Sequence, residues 1–378
     1  MSATEDGPAN HFEESAAGPK DGTVCSVWPH EWNGRWMGQE AKKGLVSVIV
    51  PTYNRVDLLA ECLESVREQR YRPVEVLVVD DGSTDGTQEL LRDEDRKARA
   101  EDGFQLRWWR QENRGAPAAR NVALDQSRGA YVQFLDSDDL LARGKVEEQV
   151  EAMSSGTWDM TWSDSRTFRK TPEEAQIAWT RSTWSNPLSG FVRSHCLPWD
   201  YQAPLYSRDL CRTLGPWNER LICWQDWEYN IRALCLDPHI RYVPGTHSLV
   251  REHQGKRITD LSTGKASAKG RWLALESARN VLEATDHMCR RYEAEFCKHY
   301  VDVARRAGVE GRDSLSGRAL KRARKRARGT VGRVEVAVFE VLWKHMGLGP
   351  ASYCLGVVQD EQHEPIRTIK KIVRKAGG

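Results

Sequence analysis

Leu45-Val-Ser-Val-Ile-Val-Pro-Thr-Tyr-Asn-Arg55 is the stretch on which the reading of the chain turns. Its first six residues are mostly apolar and β-branched, the composition of a parallel strand buried on both faces. Pro51 is expected to end the strand. A helical pattern follows, with Leu58, Leu59, Cys62, Leu63 and Val66 on one face. Pro73 breaks the chain, and Val74-Glu-Val-Leu-Val-Val79 reads as a second strand. Asp80-Asp-Gly-Ser-Thr-Asp85 is a loop rich in residues that cap helices, and a charged helix runs from it to about Ala100. Phe104–Trp109 alternates as a third strand. Asn113–Asn121 is a loop entering a helix, and Tyr131-Val-Gln-Phe-Leu135 is a fourth strand. Strands and helices alternating in this way predict an α/β fold with a mostly parallel sheet covered on both faces. Ligands of such sheets sit at the carboxyl ends of the strands. That rule selects Pro51–Arg55, Asp80–Asp85 and Asp136–Asp139, the most polar segments of the region.

Outside this region the sequence is less regular. Residues 1–43 hold Gly, Pro, Ser, Glu and Asp without an apolar period, and at least the first 22 read as disordered; Trp28, Trp32 and Trp36 recur at helical spacing. From about Trp158 to Arg257 the pattern is mixed and rich in Trp, with Cys223–Leu236 helical. Beyond about Asp260 it becomes helical and basic: Arg318–Arg333 holds eight Lys or Arg and no acid. The divisions are therefore 1–43, 44–260 and 261–378.

The whole chain has 378 residues, enough for a sizeable core without a disulfide or metal. Fifty-six Lys and Arg against 54 Asp and Glu give a net charge of +2, which excludes a chain-wide basic footprint. The longest apolar candidate, Val334–Val358, is interrupted by Glu335, Glu340, Lys344 and His345, so no transmembrane helix is expected. The polar, acidic first residues lack the order of a signal peptide. Nine cysteines without C-x-x-C spacing read as reduced thiols of a cytoplasmic protein.

Leu135-Asp-Ser-Asp-Asp139 places a D-x-D pair at a strand end, where hard oxygen ligands suit Mg²⁺ or Mn²⁺ held together with substrate phosphates. A D-x-D alone also occurs as a solvated acidic turn; the strand before it and the neighbouring motifs favour the ligand site. Val50-Pro-Thr-Tyr-Asn-Arg55, Val79-Asp-Asp-Gly-Ser-Thr-Asp85, Asn113-Arg-Gly with Ala119-Arg-Asn121, and Phe134-Leu-Asp-Ser-Asp-Asp139 form a series. In order and spacing it resembles the family 2 glycosyltransferases, over about residues 44–260. The resemblance implies the GT-A fold and an inverting transferase that uses a nucleoside diphosphate sugar, most often a UDP-sugar, and a divalent metal. Tyr53 then matches the aromatic that stacks on the base, with Pro51 and Thr52 lining its pocket and Arg55 beside it. Asp81 matches the acceptor for the uracil ring N–H, Arg120 an arginine beside the base, and Asp136 the carboxylate near the ribose and sugar. Asp138 matches the metal ligand, assisted by Asp139.

Downstream, Trp224-Gln-Asp-Trp-Glu-Tyr-Asn-Ile-Arg232 resembles the family segment that opens an acceptor-side helix, with Asp226 as general base and Gln225 in place of the commoner Glu. Asp226 also suits the N-cap of a helix. His253 falls where family members place a histidine near the diphosphate, a second metal ligand for Mn²⁺. Trp184, Trp199, Trp217, Trp224 and Trp227 crowd the acceptor region; Trp199 and Trp224 are candidates for sugar stacking and Trp227 for core. The acceptor is a saccharide or glycolipid hydroxyl. Competing readings are a non-catalytic nucleotide-sugar binding or scaffold protein and a nucleotidyltransferase of related fold. The latter lacks its Gly-rich basic loop after the first strand. The Arg318–Arg333 run contains no aromatic residue, so nucleic-acid binding is not expected. A basic helix face at an anionic membrane surface fits it better.

Overall fold

The computed structural model describes residues 40–179, 186–193, 197–252 and 268–326. The N-terminal 1–39, His253 and the basic run beyond Arg326 lie outside them. Four strands come first: β1 (Lys42–Thr52), β2 (Val74–Asp80), β3 (Phe104–Arg110) and β4 (Gly129–Phe134), separated by α1 (Val56–Arg67), α2 (Thr87–Ala98) and α3 (Ala116–Gln126). Then follow β5 (Leu140–Leu141), α4 (Lys145–Ser154), β6 (Met160–Phe168), β7 (Gln176–Trp179), α5 (Pro187–Val192), β8 (Leu205–Ser207), α6 (Arg208–Leu214), α7 (Gln225–Leu234) and β9 (Ile240–Arg251). Helices α8 (Ala268–Ala284), α9 (Arg290–Val309) and α10 (Asp313–Arg326) close the described chain.

The strands form one sheet in the order β3-β2-β1-β4-β8-β6-β9-β5, with β7 paired to β6. β1 to β4 are mutually parallel, as the alternation predicts; β8 runs antiparallel to both β4 and β6. β1 lies between β2 and β4, so the chain order reverses at β1. The carboxyl ends of β1 and β4 are therefore the switch point, where such sheets bind ligands.

Strand periodicity sorts the core into two layers. Val46, Val48 and Val50 point to one face and pack with Leu59, Cys62, Leu63 and Val66 of α1, Leu91 of α2 and Val146 and Val150 of α4. Ile49, Leu77 and Val79 point to the other, where Ala119 and Ala123 of α3 begin an apolar cluster that continues through α7 to Leu320 and Ala323 of α10. The β1–β4 approach requires Gly129: a Cβ there would stand 2.6 Å from Ser47 Oγ and 2.7 Å from the Leu45 carbonyl. Glu75 is buried inside β2 yet stays ionised. Burial raises its pKa, but donors from Ser47, Arg128 and Arg107 outweigh that and hold it below the ordinary value.

Pro51 does not end β1. The Ile49 carbonyl accepts from Leu135 N on the β4 side and the Thr52 carbonyl from Asp81 N on the β2 side, so alternation turns position 51 toward β4. Register with β4 ends at Ile49, whereas pairing with β2 continues to Thr52. The N–H that proline lacks therefore has no ladder partner to lose.

Candidate active site

The loop after β1 leaves Tyr53 47% exposed above buried Pro51 and Thr52. It is lashed to the loop after β2. Asn54, at φ +50°, donates its N–H to Ser83 Oγ at 2.9 Å and accepts from Thr84 N at 2.8 Å. Asp85 Oδ2 accepts the first helical N–H of α1, from Val56, at 3.0 Å. Burial raises the Asp85 pKa, and the hydrogen bonds from Thr87 and Val56 more than reverse this, leaving it lowered. Asp81 is buried. Its Oδ1 accepts from Gln111 Nε2 (2.7 Å) and Arg114 N (2.9 Å), its Oδ2 from Gly115 N (2.8 Å). A carboxylate offers about four lone pairs, so Oδ2 keeps room for one more donor.

Three carboxylates gather after β4. Oxygens of Asp136, Asp138 and Asp139 lie within 4.8 Å of one another. Each has a different attachment. Asp136 Oδ1 accepts from Arg120 Nη2 at 2.9 Å. Asp138 Oδ2 stands 2.6 Å from Arg55 Nη1, an ion pair between the loops that follow β1 and β4. Asp139 is buried; its Oδ1 accepts from Arg251 N at 2.6 Å and its Oδ2 from Gln202 Nε2. Burial and the mutual repulsion of the acids push Asp139 well above the ordinary carboxylate range. Asp136 is raised as well: burial and Asp138 push it up against the pull of Arg120. A cation would relieve this repulsion, and three hard oxygen ligands fit Mg²⁺ or Mn²⁺.

Arg120 joins the end of β4 to the start of α7. It is 5% exposed and donates from Nε to Tyr201 Oη at 2.7 Å, from Nη1 to Gln225 Oε1 at 2.8 Å and from Nη2 to Asp136. Its guanidinium lies 4.5 Å from the Tyr201 ring centre and 4.7 Å from that of Trp217. Gln225 opens α7 and stands next to Asp226. The cap of that helix is Trp224, at φ +57°, and Asp226 lies inside the first turn. Asp226 is half-buried, and no hydrogen bond or ion pair to its carboxylate is made among the described residues. The capping role that the sequence allowed is therefore not the one it fills.

Trp199 does not face a ligand: it is 1% exposed, and its indole N–H is taken by Asn230 Oδ1 at 2.8 Å. Long-range packing of Trp162 and Phe191 around it makes it core. Trp217 stacks on Tyr229 at 3.9 Å, and Trp227, also buried, donates to the Phe191 carbonyl. Trp224 is half-buried, with the Arg271 guanidinium 4.5 Å from its ring centre. Trp184 and His253 fall outside the described residues.

Residues 47–203 match the family model described as glycosyl transferase family 2. Over these residues the chain is similar to the family 2 glycosyltransferases. It is 42% identical over 111 residues to the putative teichuronic acid biosynthesis glycosyltransferase TuaG of Bacillus subtilis, covering 29% of this chain and 42% of TuaG. It is 39% identical over 113 residues to an uncharacterized glycosyltransferase of Rickettsia felis, 30% of this chain and 18% of that one. The chain thus spans less than half the length of these two relatives. The uncharacterized glycosyltransferase EpsJ of Bacillus subtilis matches more broadly, at 28% identity over 68% of this chain and 70% of EpsJ. Among solved structures, S. aureus TarS 1–349 in complex with UDP-GlcNAc superposes with a TM-score of 0.52 at 18% identity, over 78% of this chain and 91% of that one. The fold of the glycosyltransferase domain is GT-A.

The domain uses residues that the motifs do not announce. Tyr201 and Gln202 orient Arg120 and Asp139 from a segment with no recognisable signature. Arg251 ends β9; its Nε donates to the Asp138 carbonyl at 3.1 Å and its Nη2 lies 2.5 Å from Glu61. Its position two residues before His253 was the only sequence signal for it.

Proposed function

We propose that this glycosyltransferase moves a sugar from a nucleoside diphosphate sugar, a UDP-sugar first among them, to a hydroxyl of a saccharide or glycolipid, with inversion. The observation that carries the reading is the junction at Arg120. It ties Asp136, just after β4, to Gln225, beside an Asp226 carboxylate that has no hydrogen-bond or ion-pair partner among the described residues. In this reading Tyr53 stacks on the base over Pro51 and Thr52, and the free lone pair of Asp81 accepts the ring N–H. Arg55 and Asp136 address the diphosphate and sugar, and Arg120 holds Asp136 in place from below rather than touching the base. Asp226 takes the proton of the acceptor hydroxyl as it attacks the anomeric carbon. Mn²⁺ or Mg²⁺ would be held by Asp136 and Asp138, assisted by Asp139, whose two oxygens each already accept one hydrogen bond. Such an ion, when bound, supplies Lewis-acid stabilisation of the leaving diphosphate. The names of TuaG and the TarS complex support a nucleotide-sugar donor and a glycopolymer acceptor.

The test is a screen of UDP-, GDP- and dTDP-sugars for thermal stabilisation and hydrolysis, with Mn²⁺ or with chelator. Stabilisation by one nucleotide class, dependent on the metal, is expected. No response to any of them would overturn the reading. The described helices include none long and apolar enough to cross a membrane. Helix α10 buries Leu315, Ala319, Leu320 and Ala323 and exposes Arg318, Lys321 and Lys325. We infer that this face is the first part of a basic surface that meets an anionic bilayer.

A further inference from the structure

Three arginines surround the acid cluster, and they are not equivalent. Arg120 is buried with three acceptors. Arg251 is held by Glu61 and by the Asp138 carbonyl. Arg55 is different: its side chain is 37% exposed, and Asp138 is its one ion-pair partner among the described residues. It lies in the loop after β1, as the residue that precedes α1. Its guanidinium holds Asp138 Oδ2, one of the oxygens on which the proposed metal site would draw.

We propose that Arg55 is a placeholder cation. Without donor it neutralises Asp138 and competes with the metal; a diphosphate gives the guanidinium a second anion and frees Asp138 for the metal. This rests on the metal reading given above. The physics is a charge exchange. A divalent ion approaching Asp138 meets a fixed positive charge and must break an ion pair at 2.6 Å. A nucleoside diphosphate bound at the switch point brings phosphate oxygens to the same cluster, and arginine pairs with phosphate as readily as with carboxylate. Metal and donor are then coupled through Arg55 in addition to any direct contact between them, and the coupling is reciprocal. Each therefore binds more tightly once the other is in place.

The experiment measures Mn²⁺ affinity of the full chain by electron paramagnetic resonance of the free ion, with and without UDP, for the wild type and Arg55→Gln. Arg55 is 37% exposed, so the substitution should leave the fold intact, which circular dichroism checks. Without UDP, Arg55→Gln should bind Mn²⁺ about fivefold more tightly, the equivalent of ~1 kcal/mol for a half-exposed ion pair. The gain in Mn²⁺ affinity that UDP produces should shrink by a similar factor. If Arg55 served only to bind donor, Mn²⁺ affinity without UDP would be unchanged, and that result overturns the proposal. A second arm uses UDP alone in chelator. Asp138→Asn should tighten UDP by releasing Arg55, and this gain should fall away in the Arg55→Gln background. An equal gain in both backgrounds counts against the exchange. Absence of Mn²⁺ binding to the wild type under either condition is a separate result: it removes the metal site itself, and the exchange with it.

Discussion

Arg120→Ala tests the junction on which the site is built. The substitution deletes a 5% exposed guanidinium and strands three acceptors: Tyr201 Oη, Gln225 Oε1 and Asp136 Oδ1. Hydrogen bonds to a charged group contribute about 1.5–3 kcal/mol each. The Asp136 bond is discounted, because that carboxylate is 38% exposed and water can replace the donor. The two neutral acceptors and the lost packing against Tyr201 and Trp217 remain. Relief of the buried positive charge offsets part of this. The net expectation is a loss of about 3 kcal/mol of unfolding free energy. Urea titration followed by tryptophan fluorescence reads it directly, since Trp217 lies against the deleted group. Arg120→Lys keeps the charge and one of the bonds and should recover about half of the loss. Donor hydrolysis should fall in both variants even where they are fully folded, because Asp136 and the start of α7 lose their common support. An Arg120→Ala protein within about 1 kcal/mol of wild type would show that Arg120 does not hold the two halves together.

Asp226→Asn keeps the shape of the side chain and removes its basicity. Transfer should drop about 10²–10⁴-fold with donor binding unchanged, and wild-type transfer would remove Asp226 from the reaction. Tyr53→Ala should weaken UDP binding by roughly 1–3 kcal/mol, the usual worth of stacking on a base, measured calorimetrically; equal affinity would place the base elsewhere. Lys145 is buried, donating to Gln133 Oε1 at 2.7 Å and to Gln149 Oε1 at 2.5 Å, and burial drives its ammonium down to about 7. Between that pH and about 10.5 the unfolded chain binds a proton that the native one does not. This contribution to stability is therefore complete above about pH 10.5 and is lost as pH falls through 7. Lys145→Met should abolish that rise in urea titrations across the interval, whereas identical pH profiles would refute the assignment. Sedimentation with anionic vesicles should recover the full chain at low salt and release it at 1 M, where the Debye length is about 3 Å; equal binding to neutral vesicles would exclude an electrostatic contact of the α10 face.

The sequence by itself determined the elements of the parallel N-terminal half of the sheet and the motifs at their ends. Strand runs such as Val74–Val79 and contiguous polar turns such as Asp136–Asp139 are local, and local pattern is what periodicity reports. The strand alternation also pointed to the carboxyl ends of the strands, where Asp81 and the Asp136–Asp139 cluster lie. Tertiary structure decided how those residues meet. Arg55 reaches Asp138 only because β1 lies next to β4, and Arg120 collects Asp136, Tyr201 and Gln225 from three separate segments. The burial of Trp199 and the fixing of Asp139 by Gln202 and Arg251 likewise depend on which distant segments pack together. The cap of α7 fell to Trp224, leaving the Asp226 carboxylate without a capping bond, because the backbone enters that helix in a left-handed turn. Hydrogen-bond partners, desolvation and ion pairing act through space over a few ångströms, whereas sequence pattern records only neighbours along the chain.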